Sequence, residues 1–172
     1  MIWKWLAAIL AVPVGLAGLV YAVGALLPRD HVARAEAVVP APPAAVAALV
    51  RDVEGQPRWR SAVDSIEVLE RRPGGGLRYV ERSGGDSITF DFAEEEPDAR
   101  FRSVIADPAL PFGGAWTIAL APAGGGTRVT IEERGEVRDP LYRFFSRFLF
   151  GHEGTMRTWL ADLERALQHR SA

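Results

Sequence analysis

The last long stretch of the chain, Asp139 to Gln168, constrains the fold more than any other. Apolar residues recur there at spacings of three and four, which is typical of one helix face. Asp139 is suited to cap the start, and Pro140 fits the first helical position. The pattern predicts one amphipathic helix, with a break near Gly151 as the open alternative. The stripe consists of Leu141, Phe145, Phe148, His152, Met156, Trp159, Leu160, Leu163 and Leu167, and is widened by Phe144, Leu149 and Phe150.

A helix face this broad and aromatic must pack against a large apolar surface, and the middle of the chain offers only strands. There the apolar period is two, and Gly-rich turns separate short segments that follow one another closely. This pattern favours an antiparallel meander. A short helix is expected at 44–52. The predicted strands are 31–39, 63–71, 77–82, 87–94, 100–106, 115–121 and 127–137.

We therefore predict an α+β fold in which a curved antiparallel sheet of six to seven strands surrounds the long C-terminal helix. The first strand, at 31–39, is far from the others in sequence, and we expect it to pair with the last one. No strand–helix alternation is present, which argues against a doubly wound sheet.

The N-terminal segment differs from the rest of the chain because residues 5–27 contain no charged side chain. As a helix these residues would span roughly 34 Å, enough to cross a bilayer. We predict a single-pass transmembrane anchor at 1–28, followed by one domain at 29–172. A cleaved signal peptide is the alternative. The flanking charges are nearly balanced, Lys4 and the amino group against Arg29 and Arg34, so the positive-inside rule barely decides the orientation. A cytoplasmic N-terminus with the domain on the extracytoplasmic side is slightly preferred.

Composition excludes several classes of function. The net charge of −2 gives no basic footprint for nucleic acid, so no nucleic-acid partner is expected. The absence of Cys rules out disulfides, thiolate metal sites and a Cys nucleophile. No phosphate-binding or hydrolase motif is present. His31, His152 and His169 lie far apart in sequence without ligand spacing, so we expect no metal. No cofactor is expected, and no residue is assigned as catalytic.

Large side chains on the predicted inner face would form both core and ligand wall if a cavity lies between sheet and helix. The predicted cavity-lining residues are Phe90, Phe92, Trp116, Phe148, His152, Met156 and Trp159. Phe112 falls on the longest irregular loop and is a candidate lid at the cavity mouth.

Two polar residues are candidates for ligand contact or acid–base chemistry. Glu133 shares a strand face with Val129 and Ile131 and should point inward, where a carboxylate needs a partner such as Arg102 or Arg134. It would contact a ligand head group or form a salt bridge at the rim. His152 would face the sheet, either as a donor or proton shuttle for a ligand or as a structural residue.

The order and spacing of elements over residues 38–167 resemble a known family. The matching segments are Pro40-Ala41-Pro42-Pro43-Ala44-Ala45-Val46, Val50-Arg51-Asp52, Pro57-Arg58-Trp59, Gly114-Ala115-Trp116-Thr117-Ile118, Gly126-Thr127-Arg128-Val129-Thr130-Ile131 and Trp159-Leu160 with Leu163. Together they are similar to the helix-grip fold of the START-like superfamily, also called SRPBCC, in its polyketide cyclase/dehydrase and lipid-transport branch. The resemblance implies a deep apolar cavity for hydrophobic or lipid-like molecules, and it implies no fixed catalytic residues.

Three hypotheses follow for the function. The leading one is a membrane-anchored domain that holds a hydrophobic or lipid-like small molecule between sheet and C-terminal helix. The second is a cyclase- or dehydratase-type enzyme acting on an apolar substrate in that cavity, with His152 or Glu133 as acid or base. The third is an envelope structural protein that packs against a partner without a ligand. The ligand and the oligomeric state remain open.

Overall fold

Alternating apolar residues between Gly-rich turns fold into a seven-stranded antiparallel sheet with strand order β1-β7-β6-β5-β4-β3-β2. The computed structural model describes the backbone of residues 2–150 and 153–170, and the side chains of residues 12–148 and 153–169. The strands are β1 (Asp30–Val39), β2 (Ser65–Arg71), β3 (Leu77–Ser83), β4 (Asp86–Glu96), β5 (Arg100–Ile105), β6 (Phe112–Ala123) and β7 (Gly126–Val137).

The helices precede, interrupt and follow this sheet. They are α1 (Ile2–Leu26), α2 (Pro43–Arg51), a 3₁₀ helix (Val53–Arg58), a short turn (Pro73–Gly75), α3 (Pro140–Phe145), a π-helical segment (Ser146–Phe150) and α4 (Gly154–Arg170). The order confirms the α+β prediction.

Strand pairing confirms that the first strand joins the last. β1 pairs with β7 along its whole length, from Asp30 opposite Glu136 to Val39 opposite Thr127. The other strands pair in sequence order, as a meander should. Gly84 and Gly85 form the two-residue turn between β3 and β4, with φ of 57° and 94°, and only Gly adopts two such values in succession at little cost.

One face of the sheet, which we call the inner face, carries the core. α2 and α4 pack against it, and the fully buried side chains include Phe101, Ile131 and Val129. α4 buries the C-terminal half of the predicted stripe, consisting of Met156, Trp159, Leu160, Leu163 and Leu167. These apolar side chains hold the helix to the sheet by burial from water.

The C-terminal stretch is interrupted, so the prediction of one continuous helix is wrong and the alternative with a break describes it. Asp139 caps α3 as predicted, accepting hydrogen bonds from the backbone N–H groups of Leu141 (2.8 Å) and Tyr142 (3.2 Å). α3 packs against the C-terminal end of α1, whereas α4 packs against the sheet. Two different packing partners therefore divide the apolar stripe. Gly151 lies outside the described residues.

α1 is apolar around its whole circumference over the described side chains, and most of them are exposed. Within residues 12–148 and 153–169, no helix has a stretch that is both long and apolar enough to cross a membrane.

The start of β6 differs from the sequence prediction. Phe112 was expected on a loop, but it is the first residue of β6 and lies opposite Val137. The strand extends this far because Gly114 adopts a φ of 143° and lies opposite Gly135, so two backbones without Cβ atoms approach closely. The loop placement on which the Phe112 lid rested is therefore wrong.

Candidate functional site

The inner face is completely covered at its centre. Ala35, Ile131, Ile118 and Phe101 lie side by side across β1, β7, β6 and β5, and all four are buried. This row is the closed core of the domain.

Coverage decreases towards the end of the sheet where β1 begins and β7 ends. The next row along runs through Ala33, Glu133, Trp116 and Ser103, and all four are only partly buried. The inner face is therefore open at this end, which we call the open end.

In the last row of the open end, β7 and β6 carry glycine. His31 lies opposite Gly135, Gly135 lies opposite Gly114, and Phe90 lies opposite Ile105. The His31 ring covers Gly135 so closely that a Cβ at this position would collide with it. Phe90 and Ile105 are partly exposed and provide the apolar wall of the open end.

Glu133 is the centre of a polar cluster at the open end. Its Oε2 accepts a hydrogen bond from Trp116 Nε1 at 2.8 Å, and its Oε1 accepts one from His31 Nε2 at 3.0 Å. The side chains of His31 and Glu133 are 17% and 22% exposed, so water reaches them only partly. A carboxylate with a donor on each oxygen can remain in such a site at modest cost.

The predicted cationic partners of Glu133 are wrong. Arg102 and Arg134 alternate with inner-face residues and so point to the outer face of the sheet, where they pair with Glu95 and Glu132. His31, which the sequence analysis did not place in the site, supplies the contact instead. Its alternation with Ala33 and Ala35, combined with pairing of the first and last strands, was the signal that could have identified it.

Two further polar groups lie among the core side chains. The hydroxyl of Tyr79 is 3.5 Å from the Ser103 hydroxyl, and burial raises the pKa of Tyr79 to about 12, so this phenol stays neutral. Trp59 Nε1 is buried and has no hydrogen-bond partner within the described part of the chain. The Trp59 ring meets Trp159 edge to face, with 5.4 Å between centroids.

The predicted lining residues fall into four groups. Phe92, Met156 and Trp159 are buried in the core, whereas Phe90 and Trp116 are partly exposed at the open end. Phe148 is 59% exposed and lies against Phe144. His152 lies outside the described residues.

Two surface depressions lie near the same strands, with volumes of about 460 and 370 Å³. Arg134 and Glu136 of the outer face line both depressions, and open-end residues also contribute, Ile105 to the first and His31 to the second. Because both depressions are open to solvent and bordered by charged side chains, we place the candidate site on the inner face, beside α4. No group of three or more potential metal ligands occurs within residues 12–148 and 153–169.

Solved structures with the same architecture define the class of this fold. A protein of Thermus thermophilus has 28% sequence identity and a TM-score of 0.64, with 83% of this chain and 100% of that chain covered. A START superfamily protein from Mycobacterium smegmatis has 18% identity and a TM-score of 0.60, covering 83% and 99%. An aromatase/cyclase from a Streptomyces species has 14% identity and a TM-score of 0.68, covering 83% and 96%. None of the curated proteins matches the chain.

A curved antiparallel sheet with a C-terminal helix across its inner face is the START-like, helix-grip class of fold. The family model described as polyketide cyclase / dehydrase and lipid transport matches residues 30–169. The chain belongs to this family.

Proposed function

We propose that this chain binds a hydrophobic or lipid-like small molecule on the inner face of the sheet, beside α4. The observation that carries the proposal is the unequal coverage of that face. The row of Phe101 and Ile131 is fully buried, but the apolar side chains of Phe90, Trp116 and Ile105 remain partly exposed. An apolar ligand that covers this partly exposed surface removes apolar area from water, which favours binding.

The polar cluster sets the orientation of the ligand in this proposal. The apolar body of the ligand lies along Phe90 and Ile105, and its polar group reaches Glu133 and His31. A few fixed polar groups at one end of an apolar surface are the usual source of orientation in small-molecule sites. The family description, which names both cyclases and lipid transport, supports a ligand of this class.

Attachment to a membrane is the second part of the proposal, and it rests on the sequence. Residues 5–27 contain no charge, and a helix of this length that is apolar all round suits a lipid environment. An anchor would hold the binding domain close to the source of a lipid-like ligand. The position of the domain on the extracytoplasmic side is part of the same proposal.

A test of ligand binding uses two substitutions at neighbouring positions on β1. Ala33 faces inward opposite Glu133, whereas Val32 is 65% exposed on the outer face. The full chain, in phosphatidylcholine nanodiscs, is titrated with the fluorescent fatty acid cis-parinaric acid. We expect Ala33→Phe to weaken binding at least several-fold by filling the open end, while Val32→Phe leaves binding unchanged.

Mass spectrometry of organic extracts from the same preparations completes the test. Wild-type protein should carry a hydrophobic molecule in excess over the Ala33→Phe variant. Circular dichroism confirms that the variant is folded. Equal binding and equal extracts from Ala33→Phe and Val32→Phe would contradict the proposal, and would favour a structural protein without a ligand.

A second candidate function is an enzyme of the cyclase or dehydratase type, and the His31–Glu133 hydrogen bond is the observation that favours it. An imidazole held by a carboxylate is a suitable proton acceptor for a bound apolar substrate. The test compares extracts from the wild type and from His31→Gln. Different ligand masses in the two extracts would indicate that the wild type converts the bound molecule. Identical masses would count against an enzyme that uses His31.

A further inference from the structure

Exposed large apolar side chains concentrate on two segments of the described chain. Soluble surfaces scatter such residues singly, and a contiguous patch marks an interaction site. We call this patch the α1–α3 surface. It consists of Val12, Val14, Leu16, Leu19, Tyr21 and Leu26 on α1, and Leu141, Tyr142, Phe145 and Phe148 on α3 and the π-helical segment.

The two segments are fixed to each other where α1 ends. Gly24 approaches the backbone of Pro140 so closely that a Cβ would collide with its carbonyl oxygen. The buried Arg143 donates to the carbonyl oxygen of Leu27 at 2.9 Å and to that of Ala25 at 3.5 Å. Ala25 lies in the last turn of α1 and Leu27 directly follows it, so neither carbonyl has a partner within the helix. The two parts of the α1–α3 surface are therefore joined where α1 ends.

The chemistry of this surface suits lipid better than protein. Residues 5–27 carry no charge, and residues 140–150 carry only Arg143 and Arg147 and no acidic residue. Arg143 is turned inward to α1, and Arg147 is exposed. Aromatic side chains beside a single exposed cation are typical of segments that lie at the level of lipid head groups.

The position of α3 relates the α1–α3 surface to the binding site. Two residues separate α3 from the end of β7, the strand that contributes Glu133 and Gly135 to the open end. Arg138 lies between β7 and α3. It donates hydrogen bonds to the carbonyl oxygens of Leu110 (3.1 Å) and Pro108 (3.2 Å), which belong to the loop between β5 and β6. A partner bound to α3 therefore lies beside the open end of the inner face.

We propose that the α1–α3 surface docks onto the interface of a lipid bilayer, with α3 and the π-helical segment lying at head-group depth. Docking places the open end of the inner face at the membrane, so that a lipid-like ligand passes between bilayer and site with little exposure to water. The inference rests in part on the proposed membrane attachment, and the test below distinguishes docking of α3 from anchoring by α1.

The chain has no Cys, so single nitroxide labels can be placed without background. The full chain is reconstituted into phosphatidylcholine vesicles with a label at Phe145→Cys, Leu19→Cys or Leu69→Cys. Leu69 is 53% exposed on β2, outside the α1–α3 surface, and serves as the matched control. Power-saturation electron paramagnetic resonance then compares collisions with oxygen and with a water-soluble nickel chelate.

We expect the oxygen-to-nickel ratio at Phe145→Cys to be several-fold higher than at Leu69→Cys. Equal ratios at these two positions, with a high ratio at Leu19→Cys, would overturn the docking of α3 while keeping the anchor. A low ratio at Leu19→Cys would overturn the anchor itself. Spin–spin broadening at Phe145→Cys in detergent would show that a second copy of the chain covers the surface, and would also overturn the inference.

Discussion

Trp116 Nε1 lies 2.8 Å from Glu133 Oε2, directly across the pairing of β6 with β7. The indole thus satisfies a carboxylate that the sequence alone would assign to an arginine. The donor is neutral, so it satisfies one oxygen of Glu133 without adding a charge, and the ring of His31 lies 3.0 Å from the other oxygen. Trp116, His31 and Glu133 therefore form one polar cluster held by the register of three strands.

Trp116 and Trp59 offer a matched pair of Trp→Phe substitutions. Trp116→Phe leaves a carboxylate oxygen of Glu133 without its donor and should lower the free energy of unfolding by about 1–2 kcal/mol. Trp59→Phe removes a buried N–H that has no partner in the described part of the chain, so it should cost less. Urea denaturation followed by circular dichroism measures both. A larger loss for Trp59→Phe would contradict the hydrogen-bond assignment.

Asp162 on α4 is 1% exposed and accepts hydrogen bonds from Ser61 N at 2.7 Å and Ser61 Oγ at 2.8 Å. Arg165 contacts its other oxygen. Asp162→Ala should lower the free energy of unfolding by about 1–3 kcal/mol, because it removes a buried carboxylate that accepts two hydrogen bonds from Ser61. Ser61→Ala, which removes only the hydroxyl, should cost about 1 kcal/mol. Equal losses in urea denaturation would show that the carboxylate does not hold this loop.

Glu94 makes stability depend on pH through Arg51. Hydrogen bonds from Arg51 Nε (2.8 Å) and Nη2 (2.6 Å) hold the pKa of the Glu94 carboxyl below its usual value, against the opposing effect of burial. The unfolded chain therefore binds a proton more readily than the folded one. The stabilisation is complete above the unfolded pKa and is lost as pH falls through the lower folded pKa.

Glu94→Gln should consequently lower the free energy of unfolding near pH 7 by about 1 kcal/mol or less, since the pair is partly exposed. The difference from the wild type should shrink as pH falls below about 4, where the unfolded carboxyl protonates. Glu95→Gln is the control. Its carboxylate lies 3.7 Å from Arg102, which is longer than a hydrogen bond, so the substitution should change stability less. Urea denaturation at several pH values measures the free energy of unfolding of each protein. A difference between wild type and Glu94→Gln that grows as the pH falls would contradict a lowered pKa of Glu94.

Substitutions at Gly24 and Gly18 test whether the contact between Gly24 and Pro140 fixes the position of α1. Gly24→Ala would drive a methyl group into the backbone of Pro140, whereas Gly18 has no atom within 4 Å of an added Cβ. We expect Gly24→Ala to broaden the distance distribution between nitroxides at Val14→Cys and Leu69→Cys, measured by double electron–electron resonance. Gly18→Ala should leave the distribution unchanged. Identical distributions for both variants would show that α1 is not fixed by this contact.

The strands and their turns were predictable because their signals are local. Alternation of apolar residues and paired glycines determine where a strand runs and where it reverses, and six of the seven strand starts agree with the structure within two residues. The exception is β6, where Phe112 was expected on a loop. Its inclusion depends on Gly114 meeting Gly135, a contact between residues about twenty positions apart.

The site was predictable only in part. The inward direction of Glu133 follows from strand alternation, and the buried positions of Met156 and Trp159 follow from helical periodicity. The partners of Glu133 did not follow, because a strand pattern shows which face a side chain takes but not which residue lies opposite. Register across β1, β7 and β6 brought His31 and Trp116 to it.

By itself the sequence determined the fold class, the pairing of the first and last strands, and the apolar face of the C-terminal stretch. Tertiary structure alone decided how that stretch is divided. Both halves carry the same helical period, but the half with Phe145 and Phe148 is exposed beside α1, and the half with Met156 and Leu163 is buried on the sheet. Periodicity reports that a face is apolar. Only the packing of distant elements decides what covers it.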